Sequence, residues 1–319
     1  MTGRQWTTAD VPEQAWRTAV ITGGNTGLGF QVAQTLAGRG ARVIIACRDR
    51  DKARRAVAEM ATAARRSRQA IGLREGPTPD LHVVELDLAR LGSVRDAAAE
   101  LKSKFPVIDL LINNAGVMMT PYTRTEDGFE LQFATNHLGH FALTGLLLDH
   151  LAQSPAGARV VTVSSIVHRR GSIDFDDLMW ENGYNRTAAY ARSKLANLLF
   201  AYELNRRLTG TGLPIISLAA HPGYSSTSLT RNLPPLLRAG SRIAEPVIAQ
   251  SPAMGALPLL RAATDPRAAG GQFYGPANPL QTKGHPKLVR SSARSYDQEL
   301  ARRLWETSEK LTGVSFLPP

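Results

Sequence analysis

The sequence predicts an α/β fold built on one doubly wound parallel sheet of about seven strands, with helices on both faces. Short apolar runs alternate along the 319 residues with longer stretches of helical periodicity, which is typical of successive βαβ units. A glycine-rich turn follows the first apolar run directly and opens a helical stretch. Strand, glycine turn and helix in this order are typical of the Rossmann-type fold, and we expect a single domain over residues 1–319.

Seven apolar runs have the length and composition of buried strands: Thr18–Ile21, Arg42–Ala46, Leu81–Glu85, Leu110–Ile112, Arg159–Val163, Ile215–Ala219 and Gln272–Tyr274. Six stretches have helical periodicity: Gly27–Gly38, Arg50–Arg66, Leu91–Phe105, Glu126–Ala152, Thr187–Leu208 and Ala253–Thr264. Between these elements we expect a surface loop at Ser67–Asp80 and a mobile substrate lid at residues 224–252. A C-terminal helical extension should begin at about residue 290.

The bulk composition excludes several classes of protein. The formal charge is +11, but the arginines are spread along the chain and accompany no nucleic-acid-binding motif, so we expect no nucleic-acid partner. The single cysteine, Cys47, excludes an internal disulfide and a multi-cysteine metal site. No apolar run reaches the length of a membrane span, and the first eleven residues hold no apolar signal core. We therefore expect a soluble, cytoplasmic protein.

The glycine-rich turn predicts a nucleotide site. Glycines allow positive φ and let the backbone approach a pyrophosphate, and the helix N-terminus supplies free N–H donors. The spacing Gly23-x-x-x-Gly27-x-Gly29 differs from the commonest dinucleotide fingerprint and resembles that of the short-chain dehydrogenase/reductase family. The resemblance implies a nicotinamide cofactor and these contacts to it: Gly23, Asn25, Thr26, Gly27, Leu28 and Gly29.

The residue after the second strand predicts which nicotinamide cofactor is bound. An acid there favours NAD, through the ribose 2′-hydroxyl, whereas an arginine favours the 2′-phosphate of NADP. The strand ends in Cys47-Arg48, and a guanidinium pairs with phosphate through a planar fork of donors. We expect NADP(H) to be preferred over NAD(H), with the neighbouring Asp49 facing solvent or capping the next helix.

Further motifs of the same family follow in order along the chain. The resemblance implies an acid beside the adenine ring at Asp87-Leu88 and an adenosine-side motif at Asn113-Asn114-Ala115-Gly116. It also implies contacts to the nicotinamide from the motif His221-Pro222-Gly223 and from a threonine four residues later. The cofactor residues that we expect from these motifs are Asp87, Leu88, Asn114, Ala115, Gly116, Tyr190, Lys194, Pro222, Gly223 and Thr227.

Tyr190 and Lys194 are four residues apart and share one helix face. A free phenol has a pKa near ~10, and a nearby ammonium favours the phenolate and lowers that pKa. Ser164 and Ser165 follow a strand directly, so their side chains face the ligand crevice of an open sheet. By resemblance, the catalytic tetrad is Asn136, Ser165, Tyr190 and Lys194.

The tetrad implies hydride transfer between a nicotinamide and a carbonyl. By resemblance, Tyr190 donates the proton, Ser165 binds the oxygen, Lys194 lowers the tyrosine pKa and holds the ribose, and Asn136 positions a relay water. His137 and His140 lie three residues apart, but no third metal ligand accompanies them. We expect core or surface histidines there and no metal.

Within the family, the motifs around Arg48, Asn136 and His221 are most similar to the retinol-dehydrogenase and protochlorophyllide-reductase-like branch. The branch implies a carbonyl reductase or alcohol dehydrogenase acting on an apolar small molecule. Two alternatives stay open: a non-catalytic NADP(H)-binding sensor or scaffold, and a light-dependent double-bond reductase of the protochlorophyllide type. A homo-oligomer also stays open. Residues expected in the substrate walls are Met118, Met119, Phe175, Met179, Trp180 and Leu229.

Overall fold

A computed structural model of the chain describes residues 4–70, 79–224 and 250–317. Within these residues, eight strands form one sheet. They are β1 (Thr18–Thr22), β2 (Arg42–Cys47), β3 (Leu81–Glu85), β4 (Leu110–Asn113), β5 (Ala158–Val163), β6 (Ile215–Ala220), β7 (Phe273–Pro276) and β8 (Pro286–Leu288).

The strand order is β3-β2-β1-β4-β5-β6-β7-β8. The first seven strands are parallel, and β8 pairs antiparallel with β7 at the edge. Because β1 pairs with β2 on one side and with β4 on the other, the direction of strand addition reverses between β1 and β4. In an open parallel sheet, ligands bind at the carboxyl ends of the strands beside such a reversal.

Helices cover both faces of the sheet. They are α1 (Gly27–Gly38), α2 (Arg50–Ala70), α3 (Leu91–Lys104), α4 (Leu131–Phe133), α5 (Gly139–Leu146), α6 (Leu148–Ala152), α7 (Arg186–Thr209), α8 (Pro252–Thr264) and α9 (Gln298–Thr312). A π turn, Ala134–Leu138, joins α4 to α5, and a 3-10 helix, Ile166–Arg170, follows β5.

Apart from β3 and β8 at the two ends of the sheet, the strands are buried on both faces, as expected of a parallel sheet between helices. Alternate side chains along the strands, such as Ile21, Ile45 and Ile112, pack against α1 and α8. Their neighbours Val20, Ile44 and Leu111 pack on the opposite face, against α3, α5 and α7. The alternation explains why the strands are near-continuous apolar runs in the sequence.

The predicted strands and most of the predicted helices agree with the structure to within a few residues. The helix predicted over Glu126–Ala152 is wrong in its bounds, because Glu130 caps the first turn and helical structure begins only at Leu131. The two carboxylate oxygens of Glu130 accept the N–H groups of Gln132 and Phe133, at 2.9 and 2.7 Å. The π turn and a break at Leu147 then divide the remainder.

Two further differences concern irregular segments, and a third prediction is not tested. Helix α2 continues to Ala70, so the start of the loop predicted at Ser67–Asp80 is helical. Strand β8 was not expected, since three residues beginning with a proline give too weak a signal. The predicted lid at residues 224–252 lies outside the described residues from position 225 to position 249.

No helix among the described residues combines the length and apolar character needed to cross a membrane.

Candidate active site

The glycine turn lies at the carboxyl end of β1, where the strand order reverses. Gly23 and Gly27 have φ values of +64° and +57°, which residues with a Cβ adopt with difficulty. A Cβ on Gly29 would lie 2.5 Å from the Nδ2 atom of Asn114. The turn therefore needs glycine at these positions both for its backbone path and for its close contact with the end of β4.

The first turn of α1 has free N–H donors. Thr26 occupies the N-cap position with extended φ and ψ but makes no side-chain capping bond. The first N–H groups of an α-helix have no partner within the helix, and the helix dipole favours an anion beside them. A close-packed glycine turn with an uncapped helix start fits the pyrophosphate of a dinucleotide. Asn25 and Thr26 lie at the surface of this turn, whereas Leu28 is buried beneath it.

Thr22 joins the turn to the end of β4. Its Oγ1 atom accepts the main-chain N–H groups of Asn114 and Ala115, both at 2.9 Å. In return, the Asn114 Nδ2 atom donates to the main-chain oxygen of Thr22 at 2.8 Å. These bonds bring two of the predicted cofactor segments together, the glycine turn and the motif that ends in Gly116.

Arg48 is exposed at the end of β2. Among the described residues, its guanidinium makes no ion pair within 4.0 Å of a carboxylate. The neighbouring Asp49 caps α2 by accepting the N–H of Lys52 at 2.9 Å and pairs with the ammonium of Lys52. The expectation that Asp49 caps this helix is confirmed, so its carboxylate is directed to α2.

Asp87 and Leu88 follow β3, at the same carboxyl-terminal end of the strands as the glycine turn. The Asp87 carboxylate accepts the N–H of Ala89 at 3.0 Å, which fixes the turn before α3. The main-chain oxygen of Leu88 touches Gly139 so closely that a Cβ there would overlap it. The segment after β3 thus packs directly on the start of α5.

Tyr190 and Lys194 lie on α7 with their side chains buried. The Lys194 Nζ atom is 5.7 Å from the centre of the Tyr190 ring. It donates to the main-chain oxygen of Val163 at 3.2 Å. It also lies 3.5 Å from the position that a Cβ on Gly116 would occupy. Lys194 therefore reaches from α7 to the ends of β5 and β4.

Burial shifts the pKa values of both members of this pair. Burial raises the pKa of Tyr190 to about 12, although its hydrogen bond with Ser165 acts in the opposite direction. Burial also lowers the pKa of Lys194 to about 8. The pKa of Tyr190 is raised in this state because the loss of water around the phenol is the largest cause of its shift. The expectation that Lys194 lowers this pKa stays a prediction.

Ser165 follows β5 and caps the 3-10 helix behind it. Its Oγ atom accepts the N–H of Val167 at 3.5 Å and is the hydrogen-bond partner of Tyr190. Its main-chain oxygen accepts a 2.6 Å hydrogen bond from the Nδ1 atom of His168. The neighbouring Ser164 points the other way and donates to the main-chain oxygen of Lys194 at 2.7 Å. The structure thus places Ser165, and not Ser164, beside the tyrosine.

Asn136 is fully buried in the π turn. Its side-chain amide pairs with both polar atoms of the Val117 backbone, accepting the N–H at 2.8 Å and donating to the oxygen at 2.9 Å. The same Nδ2 atom donates to the Oγ atom of Ser193 at 2.9 Å. Asn136 therefore joins the loop after β4 to α7, and π turns are frequent at functional sites.

A second network joins two of the three segments expected to form substrate walls, residues 117–122 (the first wall) and residues 167–184 (the second wall). The Oε1 atom of Gln132 accepts the N–H of Met119 at 2.7 Å, and Met119 has the left-handed φ of +51°. The Nε2 atom of Gln132 donates to the Tyr184 hydroxyl at 2.7 Å and to the main-chain oxygen of Arg186 at 3.0 Å. Tyr184 in turn bonds to the buried carboxylate of Glu130 at 3.0 Å.

Arg192 fixes the second wall to α7. Its Nη1 atom donates to the main-chain oxygens of Asp177 and Leu178 at 2.7 and 3.0 Å. Its guanidinium lies 4.0 Å from the centre of the Trp180 ring. Phe175 and Met179 pack against the core cluster around Phe133, so these two expected substrate contacts contribute to the core. Leu229 lies outside the described residues.

Pro222 and Gly223 follow β6. Gly223 has a φ of +68°, and a Cβ there would overlap the main-chain oxygen of Thr282. The Nδ1 atom of His221 accepts the N–H of Gly223 at 3.3 Å, and its Nε2 atom faces the Oε1 atom of Gln281 at 3.2 Å. Thr227, the remaining predicted cofactor residue, lies outside the described residues.

The two histidines of the π turn region point in different directions. The Nε2 atom of His137 bonds to the Oγ atom of Ser308 at 2.9 Å, whereas His140 contacts Thr22 and Asn136. Among the described residues, no three histidine, cysteine or acidic side chains cluster as metal ligands would.

Sequence reasoning missed several residues that organise this site: Thr22, Gln132, His140, His168, Tyr184 and Arg192. All act through hydrogen bonds between segments distant in the chain, so no local spacing reveals them. The only available signal was a polar residue in an otherwise apolar stretch, as at Gln132 and His140.

The architecture is that of a Rossmann-type fold with a crevice where the strand order reverses, and comparison with known proteins identifies the family. The short chain dehydrogenase family matches residues 17–236. The chain belongs to this family and to its retinol-dehydrogenase-like branch. It is therefore an oxidoreductase of a family that uses NAD(P) and interconverts carbonyls and alcohols.

Particular relatives cover nearly the whole chain. Retinol dehydrogenase 14 from Homo sapiens is 41% identical over 308 residues, covering 93% of this chain and 87% of the relative. Polyprenol dehydrogenase from Mus musculus is 38% identical over 312 residues, covering 95% and 86%. The solved structure of an uncharacterized protein from Mycobacterium paratuberculosis is 42% identical with a TM-score of 0.80, covering 99% and 100%. RhlG from Pseudomonas aeruginosa in complex with NADP is 25% identical with a TM-score of 0.58, covering 81% and 94%.

Proposed function

We propose that this chain is an NADP(H)-dependent oxidoreductase that interconverts an aldehyde or ketone and the corresponding alcohol on an apolar small molecule. The observation that carries the proposal is the convergence of Tyr190, Ser165 and Lys194 beside the glycine turn at one edge of the sheet. A hydrogen bond joins the tyrosine to the serine, and the lysine reaches from the same helix to the strand before the serine.

The chemistry follows from the protonation states of these groups. A bound NADPH supplies the hydride that reduces the carbonyl carbon. Tyr190 has a pKa of about 12 and is therefore a protonated phenol at neutral pH, able to donate its proton to the carbonyl oxygen. Ser165 donates a hydrogen bond to the same oxygen as negative charge develops there. Hydride on carbon and a proton on oxygen give the alcohol, and the reverse oxidation uses the same groups.

Lys194 and Asn136 support the tyrosine in different ways. By the family resemblance, the Lys194 ammonium holds the nicotinamide ribose. Asn136 keeps the loop after β4 at a fixed distance from α7, through its bonds to Val117 and Ser193. After proton transfer, the Tyr190 phenolate regains a proton from solvent, and a positive Lys194 nearby stabilises that phenolate.

Arg48 supports the choice of NADP(H). It is exposed at the end of β2, with no carboxylate paired to it in the described residues, while Asp49 is occupied with the cap of α2. A guanidinium in that place suits the 2′-phosphate and gains less from a 2′-hydroxyl. The complex of RhlG with NADP is consistent with the same preference.

The names of the relatives support an apolar substrate. Retinol and polyprenol, which appear in them, are long unsaturated alcohols. The loop after β4, which Asn136 holds through Val117, contains Met118 and Met119. Methionine side chains adapt to apolar ligands of varied shape. A cytoplasmic location, the absence of a nucleic-acid partner and the oligomeric state stay predictions.

The test is absorbance loss at the nicotinamide band, with NADPH and NADH side by side, against a panel of aliphatic, aromatic and retinoid-like carbonyls. We expect turnover with NADPH that falls by several orders of magnitude in Tyr190→Phe. Equal or better turnover with NADH would overturn the cofactor preference. Tight NADPH binding with no turnover of any carbonyl, in darkness or in light, would instead favour a cofactor-binding sensor.

A further inference from the structure

His140 lies between the glycine turn and the catalytic π turn and is 1% exposed. Its Nε2 atom is 2.8 Å from the Oγ1 atom of Thr22, at the end of β1. Its Nδ1 atom is 3.0 Å from the main-chain oxygen of Asn136, one turn earlier on the helix. One imidazole thus touches a residue on each side of the candidate active site.

The partners determine the tautomer of this imidazole. A main-chain oxygen can only accept a hydrogen bond, so the proton lies on Nδ1 and the Nε2 atom holds a lone pair. The Thr22 hydroxyl must then donate to Nε2. Its alternative acceptor, the main-chain oxygen of Ile112, is farther away at 3.4 Å.

The direction of the hydrogen bond between Thr22 and His140 determines how many N–H groups the Thr22 oxygen can accept. A hydroxyl has one donor and two acceptor lone pairs. With its proton directed at His140, both lone pairs of Thr22 are available to the N–H groups of Asn114 and Ala115, at 2.9 Å each. All hydrogen-bonding capacity of this buried hydroxyl is used. The spacing between β1 and the segment after β4 therefore depends on the acceptor that His140 supplies.

We infer that His140 is a positioning residue for the nicotinamide nucleotide: it orients the Thr22 hydroxyl on the nucleotide side and holds the Asn136 carbonyl on the catalytic side. The inference rests on the proposed function, because it takes the glycine turn and the Asn114 segment as the nucleotide site. His140 does not touch the reacting atoms and takes no part in proton transfer.

The surroundings keep the imidazole neutral, as this arrangement requires. Burial lowers the pKa of His140 to about 4, and the nearby Lys194 ammonium acts in the same direction. A protonated ring would direct an N–H at the Thr22 oxygen, which already accepts two N–H groups. The hydroxyl would then lose its acceptor.

Two amide substitutions separate the two hydrogen bonds of the His140 bridge, one to the Thr22 hydroxyl and one to the main-chain oxygen of Asn136. The polar end of asparagine occupies the place of Nδ1, so His140→Asn retains the bond to the Asn136 oxygen and loses Thr22. The longer glutamine places its amide near the position of Nε2, so His140→Gln retains an acceptor for Thr22 and loses Asn136. The readouts are the dissociation constant of NADPH, from fluorescence titration without substrate, and kcat at saturating NADPH with a carbonyl that turns over.

We expect His140→Asn to raise the dissociation constant of NADPH about tenfold while kcat changes little, the size expected for one buried hydrogen bond. We expect His140→Gln to lower kcat about tenfold while the dissociation constant changes less than threefold. His150→Gln, at a half-buried position on α6 where the ring faces the main-chain oxygen of Lys102, serves as the matched control and should change neither value. Loss of thermal stability with unchanged binding and kcat in both variants would overturn the inference, as would equal losses in both.

The Thr22 partner gives a second test that does not depend on folding of the His140 variants. Thr22→Val removes the hydroxyl and retains the shape, whereas Thr22→Ser retains the hydroxyl. We expect NADPH binding to weaken about tenfold in the valine variant and to be rescued to within threefold in the serine variant. Equal binding by valine and serine variants would overturn the inference. A wild-type protein that binds neither NADPH nor NADH would overturn the proposed function itself, which the titration of the wild type detects separately.

Discussion

Lys194 donates through its Nζ atom to the main-chain oxygen of Val163, 3.2 Å away, and this bond directs the ammonium toward the end of β5. The Nδ2 atom of Asn197, one helical turn later, donates to the same oxygen at 3.0 Å. Two side chains of α7 thus hold the strand that precedes Ser165. The bond keeps the lysine in place while burial works against its charge.

The effect of burial on the charge of Lys194 predicts a pH dependence for carbonyl reduction. Because burial lowers the pKa of Lys194 to about 8, the ammonium is present below that pH and is lost as the pH rises through it. We expect kcat/KM for reduction, measured with NADPH from pH 7 to pH 10, to be level at first and to fall above about pH 8. A level profile through pH 10 would contradict this assignment, since Tyr190, with a pKa of about 12, titrates outside the range.

Arg48 predicts a change of cofactor preference on substitution. Hydrogen bonds to charged groups contribute about 1.5–3 kcal/mol, so Arg48→Ala should weaken NADPH binding by about 10- to 100-fold and leave NADH binding nearly unchanged. Arg50→Ala is the matched control, because Arg50 is also exposed near the end of β2 and lies 3.6 Å from the carboxylate of Glu85. Equal losses for the two nucleotides in Arg48→Ala would show that the arginine does not read the 2′-phosphate.

Substitution of Gln132 should weaken substrate binding more than cofactor binding. Gln132→Met preserves the length of the side chain but removes its bonds to Met119, Tyr184 and Arg186. We expect the free energy of unfolding to fall by about 1–3 kcal/mol and KM for the carbonyl to rise, while NADPH binding changes little. Steady-state kinetics and urea unfolding measure both effects. Gln153→Met, at an exposed position, is the control, and a rise confined to the NADPH dissociation constant would argue against a substrate wall here.

Four buried histidines predict a loss of stability in mild acid. Burial lowers the pKa values of His137, His140, His168 and His221 to about 3, 4, 4 and 3. Between an unfolded pKa near ~6.5 and these values, the unfolded chain binds more protons. Stability should therefore be complete above about pH 6.5 and decrease as the pH falls toward 4.

Urea unfolding between pH 7.5 and pH 4.5 measures this slope. His168→Gln should reduce it, because the variant has one fewer buried base to protonate, even if its stability at pH 7.5 is lower. His285→Gln, which alters a half-buried ring outside this group, is the control and should leave the slope unchanged. An identical slope in His168→Gln and in the wild type would remove this histidine from the explanation.

Gly139 predicts a steric effect that links two parts of the nucleotide crevice. A Cβ at this position would overlap the main-chain oxygen of Leu88, whereas a Cβ on Gly38 would meet no atom within 4 Å. We expect Gly139→Ala to destabilise the protein by about 1–3 kcal/mol and to weaken NADPH binding. Gly38→Ala should instead stabilise it by about 0.4–1 kcal/mol. Thermal unfolding and NADPH titration test the pair, and similar stabilities would contradict the close contact.

Most strand positions could be predicted because the parallel strands other than β3 are buried on both faces and are therefore continuous apolar runs. The same reasoning failed at Glu126–Ala152, where a buried acid caps the helix late and a π turn interrupts it. Apolar periodicity continues across such an interruption, so it does not reveal the position of the break.

The candidate site also contains features that could be predicted from the sequence and features that could not. Ser165, Tyr190 and Lys194 could be predicted, since side-chain chemistry, spacing and the end of a strand all point to them. The pKa of Tyr190 could not, because it depends on how much water the fold removes. The bridge through His140 was also beyond prediction, since its partner Thr22 lies 118 positions away.

Helix α9 packs behind the π turn through Ser308, which meets His137, and through Trp305, which packs against Phe141 and Phe200. Ser308 lies 171 residues after His137. On the ribosome, the glycine turn and the catalytic helices are synthesised long before this support emerges. Until α9 emerges, the aromatic side chains that it covers lack this packing, so the segment that carries Asn136 can reach its final packing only late in synthesis.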